Sequence, residues 1–272
     1  ENREMSANPL FLAVDVGNSS LAIGCYPLQA AARSLPEPVW QNQFLHGQLE
    51  NPDWWEGIVA RLGDSPASWL VGSVHRPRSA WLTETVRLAR PADTIHLLDW
   101  RELGIQVSLA EPEKVGIDRL AAAAAVNQLR SVDRPAIVID AGSAVTIDLV
   151  DAEGCFCGGT IFPGHRMAAS SLARQTDLLP EVRISTSPEI LGENTEKAIA
   201  SGVYWGTVGA VREIVGRMRA QHGMDAELFL TGGGIAWRDE LPGEVSCCPD
   251  LVLSGIALTA VHLLGQARRE DA

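Results

Sequence analysis

Val14-Asp15-Val16-Gly17-Asn18-Ser19 and, 125 residues later, Ile139-Asp140-Ala141-Gly142-Ser143-Ala144 share one pattern: an apolar strand end, an aspartate, and a glycine two residues on. The first copy follows the apolar run 11–16 and leads into a second run, 21–26, so it reads as two strands around a tight turn. The second copy follows 136–140 and leads into a strand at 144–150, a turn at 151–154 and a third strand at 155–161. One D-x-G hairpin is an ordinary turn in which Asp and Asn satisfy the backbone. Two in matching strand-turn-strand settings indicate a duplicated domain. Glycine permits positive φ and lets main-chain N–H groups approach an anion, while Asn18, Ser19, Ser20 and Ser143 add side-chain donors. With the later Thr231-Gly232-Gly233-Gly234, the turns suit a nucleotide between two similar lobes: two loops at the phosphates and a glycine corner beside the nucleoside.

Working outward, 68–73 reads as a short buried strand and 78–89 as a helix stopped by Pro91. The alanine-rich stretch 119–129 has high helix propensity. A long helix is expected over 194–221, with a small-residue face at Ala198, Ser201, Gly202, Gly206 and Gly209 suited to close packing against another element. Residues 228–230 form a strand, and 250–267 a last helix whose Leu253, Ile256, Ala257, Ala260, Val261 and Leu264 share a face. The proline-containing stretch 27–66, with Trp40, Trp54 and Trp55, is the least regular part.

The chain has 272 residues, 46% of them apolar, enough for one large domain or two medium ones with a substantial core. Its 22 Lys+Arg against 34 Asp+Glu leave a net charge of −12, which disfavours nucleic acid and anionic membranes as partners. The five cysteines are an odd number without zinc-type spacing, which points to a reducing compartment rather than to a metal site or disulfides. The longest mainly apolar stretch, 251–264, contains Ser254, Thr259 and His262 and is shorter than a membrane span, and the polar residues 1–9 have no signal-like core. A cytoplasmic protein is expected.

Lysine occurs only at 114 and 197, with no G-x-x-x-x-G-K-[ST] and no G-x-G-x-x-G, so phosphate charge must be met by Mg²⁺ and backbone amides rather than by a P-loop lysine. Gly116-Ile117-Asp118-Arg119 opens a helix, where a carboxylate can take a proton from a substrate hydroxyl while the guanidinium and the helix start hold an anionic group. The same four residues also suit a plain helix start with a dipole-stabilised Asp and a surface Arg. His75 reads as a turn histidine, because no histidine recurs at ligand or dyad spacing. Tyr204 and Trp205 are expected to pack the long helix, and Trp237 either to border adenine or to pack as an ordinary surface aromatic.

The ordered set of 15–19, Glu111-Pro112-Glu113-Lys114-Val115-Gly116-Ile117-Asp118-Arg119, 140–144, Gly158-Gly159-Thr160-Ile161-Phe162-Pro163-Gly164, Leu179-Pro180-Glu181-Val182, Gly192-Glu193-Asn194-Thr195 with Ala198-Ile199 and Ser201-Gly202, and Thr231-Gly232-Gly233 resembles the type III pantothenate kinases over roughly 10–265. The resemblance implies an α/β fold of two ribonuclease H-like (actin-like ATPase) lobes, 1–114 and 115–272, with the nucleotide cleft between them, and a homodimer. It implies ATP-dependent phosphorylation of pantothenate to 4'-phosphopantothenate, the first step of coenzyme A biosynthesis. Asp15, Val16, Gly17, Asn18, Ser19, Ser20, Leu21 and Ala22 would form the first phosphate loop, with Asp15 near Mg²⁺ directly or through water. Asp118 would be the general base, Gly116, Ile117, Asp118 and Arg119 would line the pantothenate pocket, and Thr195 would touch that substrate. Ser143, Gly232 and Gly233 would contact ATP, and Asp140 would hold a monovalent cation, K⁺ or NH₄⁺. Two positions depart from the family pattern. Ser143 stands where threonine is usual and keeps the hydroxyl; Leu109 stands at the substrate-contacting tyrosine and cannot donate its hydrogen bond. A nucleotide-binding regulator without catalysis is the alternative, but it would have no need of the base.

Overall fold

The computed structural model describes residues 10–28, 34–184, 187–223 and 225–270, so the polar start at 1–9 lies outside the described residues. The elements run β1 (Leu10–Val16), β2 (Ser20–Pro27), β3 (Trp40–Leu45), α1 (Asp53–Leu62), β4 (Ser68–Ser73), α2 (Arg76–Ala89), β5 (Thr94–Leu97), β6 (Gln106–Val107) and α3 (Ile117–Leu129). They continue with β7 (Ala136–Ala141), β8 (Ala144–Val150), β9 (Cys155–Pro163), α4 (His165–Gln175), α5 (Thr195–His222), β10 (Glu227–Gly232), β11 (Val245–Cys247) and α6 (Leu251–Glu270).

The two sheets repeat one topology. The first has the order β3-β2-β1-β4-β5, with β1–β2 and β2–β3 antiparallel and β1–β4 and β4–β5 parallel. The second reads β9-β8-β7-β10-β11 with the same directions, and adds the short β6 beside β9. The hairpin closures are similar but not identical: Gly17 N–H donates to Ser20 O and Gly142 N–H to Ala144 O, each at 3.0 Å, so the second turn is one residue shorter. β1 and β7 are the central strands and are apolar on both faces, as expected for strands covered on both sides. Such a duplicated mixed sheet is the actin-like ATPase architecture.

Packing divides the described residues into a unit drawn from 10–105, 111–129 and 251–270, and a unit drawn from 106–110 and 130–250. This partition is not a single cut after residue 114, because α3 packs on α6 and α6 packs on β1, β2 and β4. The alanines of α3 allow that closeness: a Cβ on Gly255 of α6 would run into the backbone of Ala121.

The stretch 27–66, without an obvious pattern in sequence, contains β3 and α1. In β3, polar Gln41 and Gln43 alternate with Trp40, Asn42 and Phe44, an edge-strand pattern. Asn51 supports the entry to α1, accepting from Asp53 N–H at 3.1 Å, and Trp54 and Ile58 bury one helix face. Here the indoles gather. Trp54 lies 5.4 Å from Trp55 and 5.5 Å from Trp81, and Trp55 lies 5.9 Å from Trp69, between ring centroids. Beneath them Arg90 and Asp93 form a buried ion pair at 2.6 Å, with further hydrogen bonds from Arg90 to Gly63 O and Ser65 O and to Asp93 from Ala67 N–H and Trp69 Nε1. The second unit has its own core of Ile137, Ile139, Ile147, Val208, Val211, Leu228 and Leu230.

On α5 the buried side is Ile199, Ser201, Tyr204, Thr207, Val208, Val211 and Val215. Gly202, Gly206 and Gly209 lie on the exposed side with nothing within 4 Å of an added Cβ. Of the small-residue face, Ser201 is buried and its hydroxyl donates to Ile190 O at 2.7 Å, whereas the three glycines have no described residue packed against them, contrary to expectation. No described helix is long and apolar enough to cross a membrane.

Candidate active site

In the first unit, three chain segments converge where β1 and β4 end. Asp15 sits in register with Gly72, and Val74 N–H continues the pairing by donating to Val16 O at 3.1 Å. Gly72 packs on α3, where its Cβ would stand 3.7 Å from Ile117, and Val74 lies 3.5 Å from the Cβ position of Gly116. The 15–22 turn and the 116–119 corner are thereby joined through Gly72-Ser73-Val74. Of the turn residues, Val16 and Leu21 have fully buried side chains, so only their main chain can serve a ligand.

The spacing in G-x-D-R has a physical cause here. The Asp118 side chain folds back over Gly116, whose Cβ would lie 2.5 Å from Asp118 Oδ1, so any other residue would displace the carboxylate. Burial pushes the Asp118 carboxyl up from the ordinary range; the Arg119 N–H, 2.8 Å from Oδ1, and the Arg119 charge pull it partly back. A carboxylate with a raised pKa is a better proton acceptor at neutral pH than a solvated one.

Sequence reasoning passed over His46. Its main-chain N–H donates to Ser19 O at 3.0 Å, and its ring lies edge-on to His75 at 5.1 Å. His75 does serve a turn, accepting from Arg78 N–H through Nδ1 at 3.1 Å to cap α2. Burial, with help from Arg78 and His75, holds the His46 imidazole below its usual value. It belongs to the support of the first turn, a role a lone histidine in an irregular stretch does not advertise.

In the second unit, Asp140 ends β7 in register with Thr231 and Thr146. Gly232 has φ +72°, and a Cβ there would stand 2.7 Å from Asp140 Oδ1 and 2.8 Å from Ala141 O. The glycine thus leaves room for two oxygen ligands, one a carboxylate, which is the donor chemistry of a hard cation. Among the described residues no three His, Cys, Asp or Glu cluster as a metal site, so a cation here would rely on backbone and substrate oxygens as well. Gly17 and Gly142, in contrast, do not have positive φ, so these turns use glycine for space rather than for a left-handed backbone.

The turn at Ser143 is fixed to the start of α4. Gly164 N–H donates to Ser143 O at 3.1 Å, and a Cβ on Gly164 would strike the carbonyls of Gly142 and Ser143. Two residues on, Arg166 Nη2 lies 3.4 Å from Ser143 Oγ. Trp237 is 5% exposed and packs on His165 at 4.9 Å, which makes it a core residue rather than a surface one. Thr195 and the α5 cap Asn194 line a cavity of about 670 Å³ with Leu172, Leu179, Ile199 and Val203. Leu109 is 38% exposed and lies 3.4 Å from the Cβ position of Gly158, which has φ +98°. All five thiols are free, and burial pushes those of Cys25 and Cys157 up to about 11, so they stay protonated.

A model of the type III pantothenate kinase family matches residues 11–217. A curated type III pantothenate kinase from Dehalococcoides mccartyi is 28% identical over 98% of this chain and 99% of its own length. One from a Parafrankia species is 31% identical over 82% of this chain and 86% of its own. Among solved structures, a putative Baf family transcriptional activator from Campylobacter jejuni superposes with a TM-score of 0.57 at 16% identity, covering 94% of this chain and 100% of its own. The activator of 2-hydroxyisocaproyl-CoA dehydratase from Clostridium difficile gives 0.53 at 13% identity, covering 96% and 97%. At these identities the structures share the fold.

Proposed function

The chain belongs to the type III pantothenate kinase family, and from that membership we propose that Asp118 is the general base of its ATP-dependent phosphorylation of pantothenate. The observation that carries the assignment is the Asp118 carboxylate, folded over Gly116 with its pKa raised by burial. Asp118 takes the proton of the pantothenate hydroxyl as that oxygen forms its bond to the γ-phosphorus and the bond to the ADP oxygen breaks. Arg119, next in sequence, is suited to the substrate carboxylate or to the transferring phosphoryl group. The main chain of 16–22 and the hydroxyls of Ser19, Ser20 and Ser143 supply donors for the phosphates, and Gly232 and Gly233 give close approach beside the nucleoside.

A divalent ion accompanies ATP in kinases and supplies charge neutralisation; Asp15 is the carboxylate assigned to it. Asp140 with Ala141 O is assigned to K⁺ or NH₄⁺, supported by the space Gly232 leaves around these oxygens. Thr195 is assigned to pantothenate, supported by its place in the α5 cavity. The exposed Gly202, Gly206 and Gly209 support a homodimer through α5. The test is ADP release with Mg²⁺ and pantothenate in K⁺ and in Na⁺ buffer, with phosphopantothenate detected by mass. Product formed only in K⁺ supports both the reaction and the cation; product equal in both buffers removes the cation assignment; no product overturns the whole reading.

A further inference from the structure

We propose that Arg166 is a phosphate-binding residue of the nucleotide site, reaching the phosphates beyond the α-phosphorus from the second turn; this rests on the assignment of Ser143 to ATP. The chain has a charge problem that the turns alone do not solve. Its net charge is −12, and both lysines are committed elsewhere, Lys114 to Glu111 and Lys197 to Glu193. A polyphosphate bound by backbone amides still needs a local cation from the protein or from bound metal.

Arg166 answers this geometrically. Its Nη2 is 3.4 Å from Ser143 Oγ, long for a hydrogen bond, so the guanidinium stands beside the hydroxyl with its donors largely uncommitted. It is exposed and forms no salt bridge with any described residue. Its position is nonetheless fixed, because Gly164, two residues earlier, is bonded to Ser143 O and wedged against the carbonyls of Gly142 and Ser143. The first turn of α4 carries no acidic residue to compete for it. A planar fork held near a turn hydroxyl is a geometry suited to bidentate contact with a phosphate.

The test compares the full-length protein with Arg166→Gln, Arg166→Lys and Arg174→Gln, the last changing an arginine at the other end of α4. Calorimetric titrations use ATP, ADP and AMP with Mg²⁺, beside KM for ATP and for pantothenate. Loss of a charged hydrogen-bonding group is expected to weaken ATP and ADP about 10- to 100-fold in Arg166→Gln, with AMP and the pantothenate KM unchanged. Arg166→Lys should recover part of the loss, and Arg174→Gln should behave as wild type. Nucleotide affinity within about twofold of wild type in Arg166→Gln, or equal losses for AMP and ATP, overturns the inference. Failure of the wild-type protein itself to bind ATP overturns the underlying nucleotide reading instead, so the two failures are distinct. If Arg166→Gln does not fold, Arg166→Met, which also removes the charge, takes its place in the same titrations.

Discussion

At the scale of single residues, two aspartates owe their positions to a glycine each. Asp118 lies over Gly116, and Asp140 lies against Gly232. Asp118→Asn keeps the shape but not the base, and turnover is expected to fall about 10²- to 10⁴-fold, read as ADP release. Because burial raises the folded-state pKa of Asp118, the folded protein binds that proton more tightly than the unfolded chain does. Stability is therefore lost as pH rises from the ordinary carboxylate range through the raised value, and at neutral pH the ionised carboxylate is a burden on the fold. Asp118→Asn should then melt higher than wild type at pH 7, and the acid limb of wild-type kcat should lie above the ordinary carboxylate range; a limb at the ordinary value contradicts the burial argument. Gly232→Ala puts a Cβ at positive φ against Asp140 Oδ1 and Ala141 O. A loss of about 1–3 kcal/mol in denaturant melts is expected, together with weaker activation by K⁺. Asp140 is legible in sequence because its strand-turn motif occurs twice, and Asp118 because it stands in a G-x-D-R corner at a helix start. Arg166 and His46 are not, since their roles arise only when α4 docks on Ser143 and the start of the turn after β3 docks on Ser19.

At the scale of elements, strands with continuous apolar runs and the long helices α3, α5 and α6 follow from periodicity and propensity. β3, α1 and α4 do not: α4 buries Ala169 alone, and β3 is an edge strand with polar residues on one side, so neither has an apolar pattern to read. The Arg90–Asp93 pair is equally hidden, although it joins the end of α2 to β4 and to the turn after α1. Burial pushes the Asp93 carboxyl up, but the bonds from Arg90, Trp69 and Ala67 outweigh it and hold the pKa below the ordinary range. Asp93→Ala leaves the guanidinium buried and unpaired, and a loss of about 3–5 kcal/mol is expected in urea melts. A loss under about 1 kcal/mol would mean that the pair is replaced by water at little cost.

At the scale of the molecule, duplication explains why so much of the plan is visible from two six-residue segments: once β1-β2 and β7-β8 are matched, the remaining strand order follows by analogy. What the duplication hides is the return of α6 to the first unit, because nothing local in α6 marks its partner as α3. Each unit has a separate core, so damage to one need not melt the other at the same denaturant concentration. In Asp93→Ala, the unfolding transition of the first unit is expected to move to lower urea while part of the far-UV dichroism keeps its wild-type midpoint; a single coincident shift in both signals would show one cooperative block. The tools for this are built into the chain. Six of the eight tryptophans, Trp40, Trp54, Trp55, Trp69, Trp81 and Trp100, belong to the first unit, and four of them stand ring to ring. Indoles at that spacing share excitation, so this half of the molecule carries its own optical signature, and replacing Trp205 and Trp237 by phenylalanine turns the intrinsic emission into a private channel for one lobe.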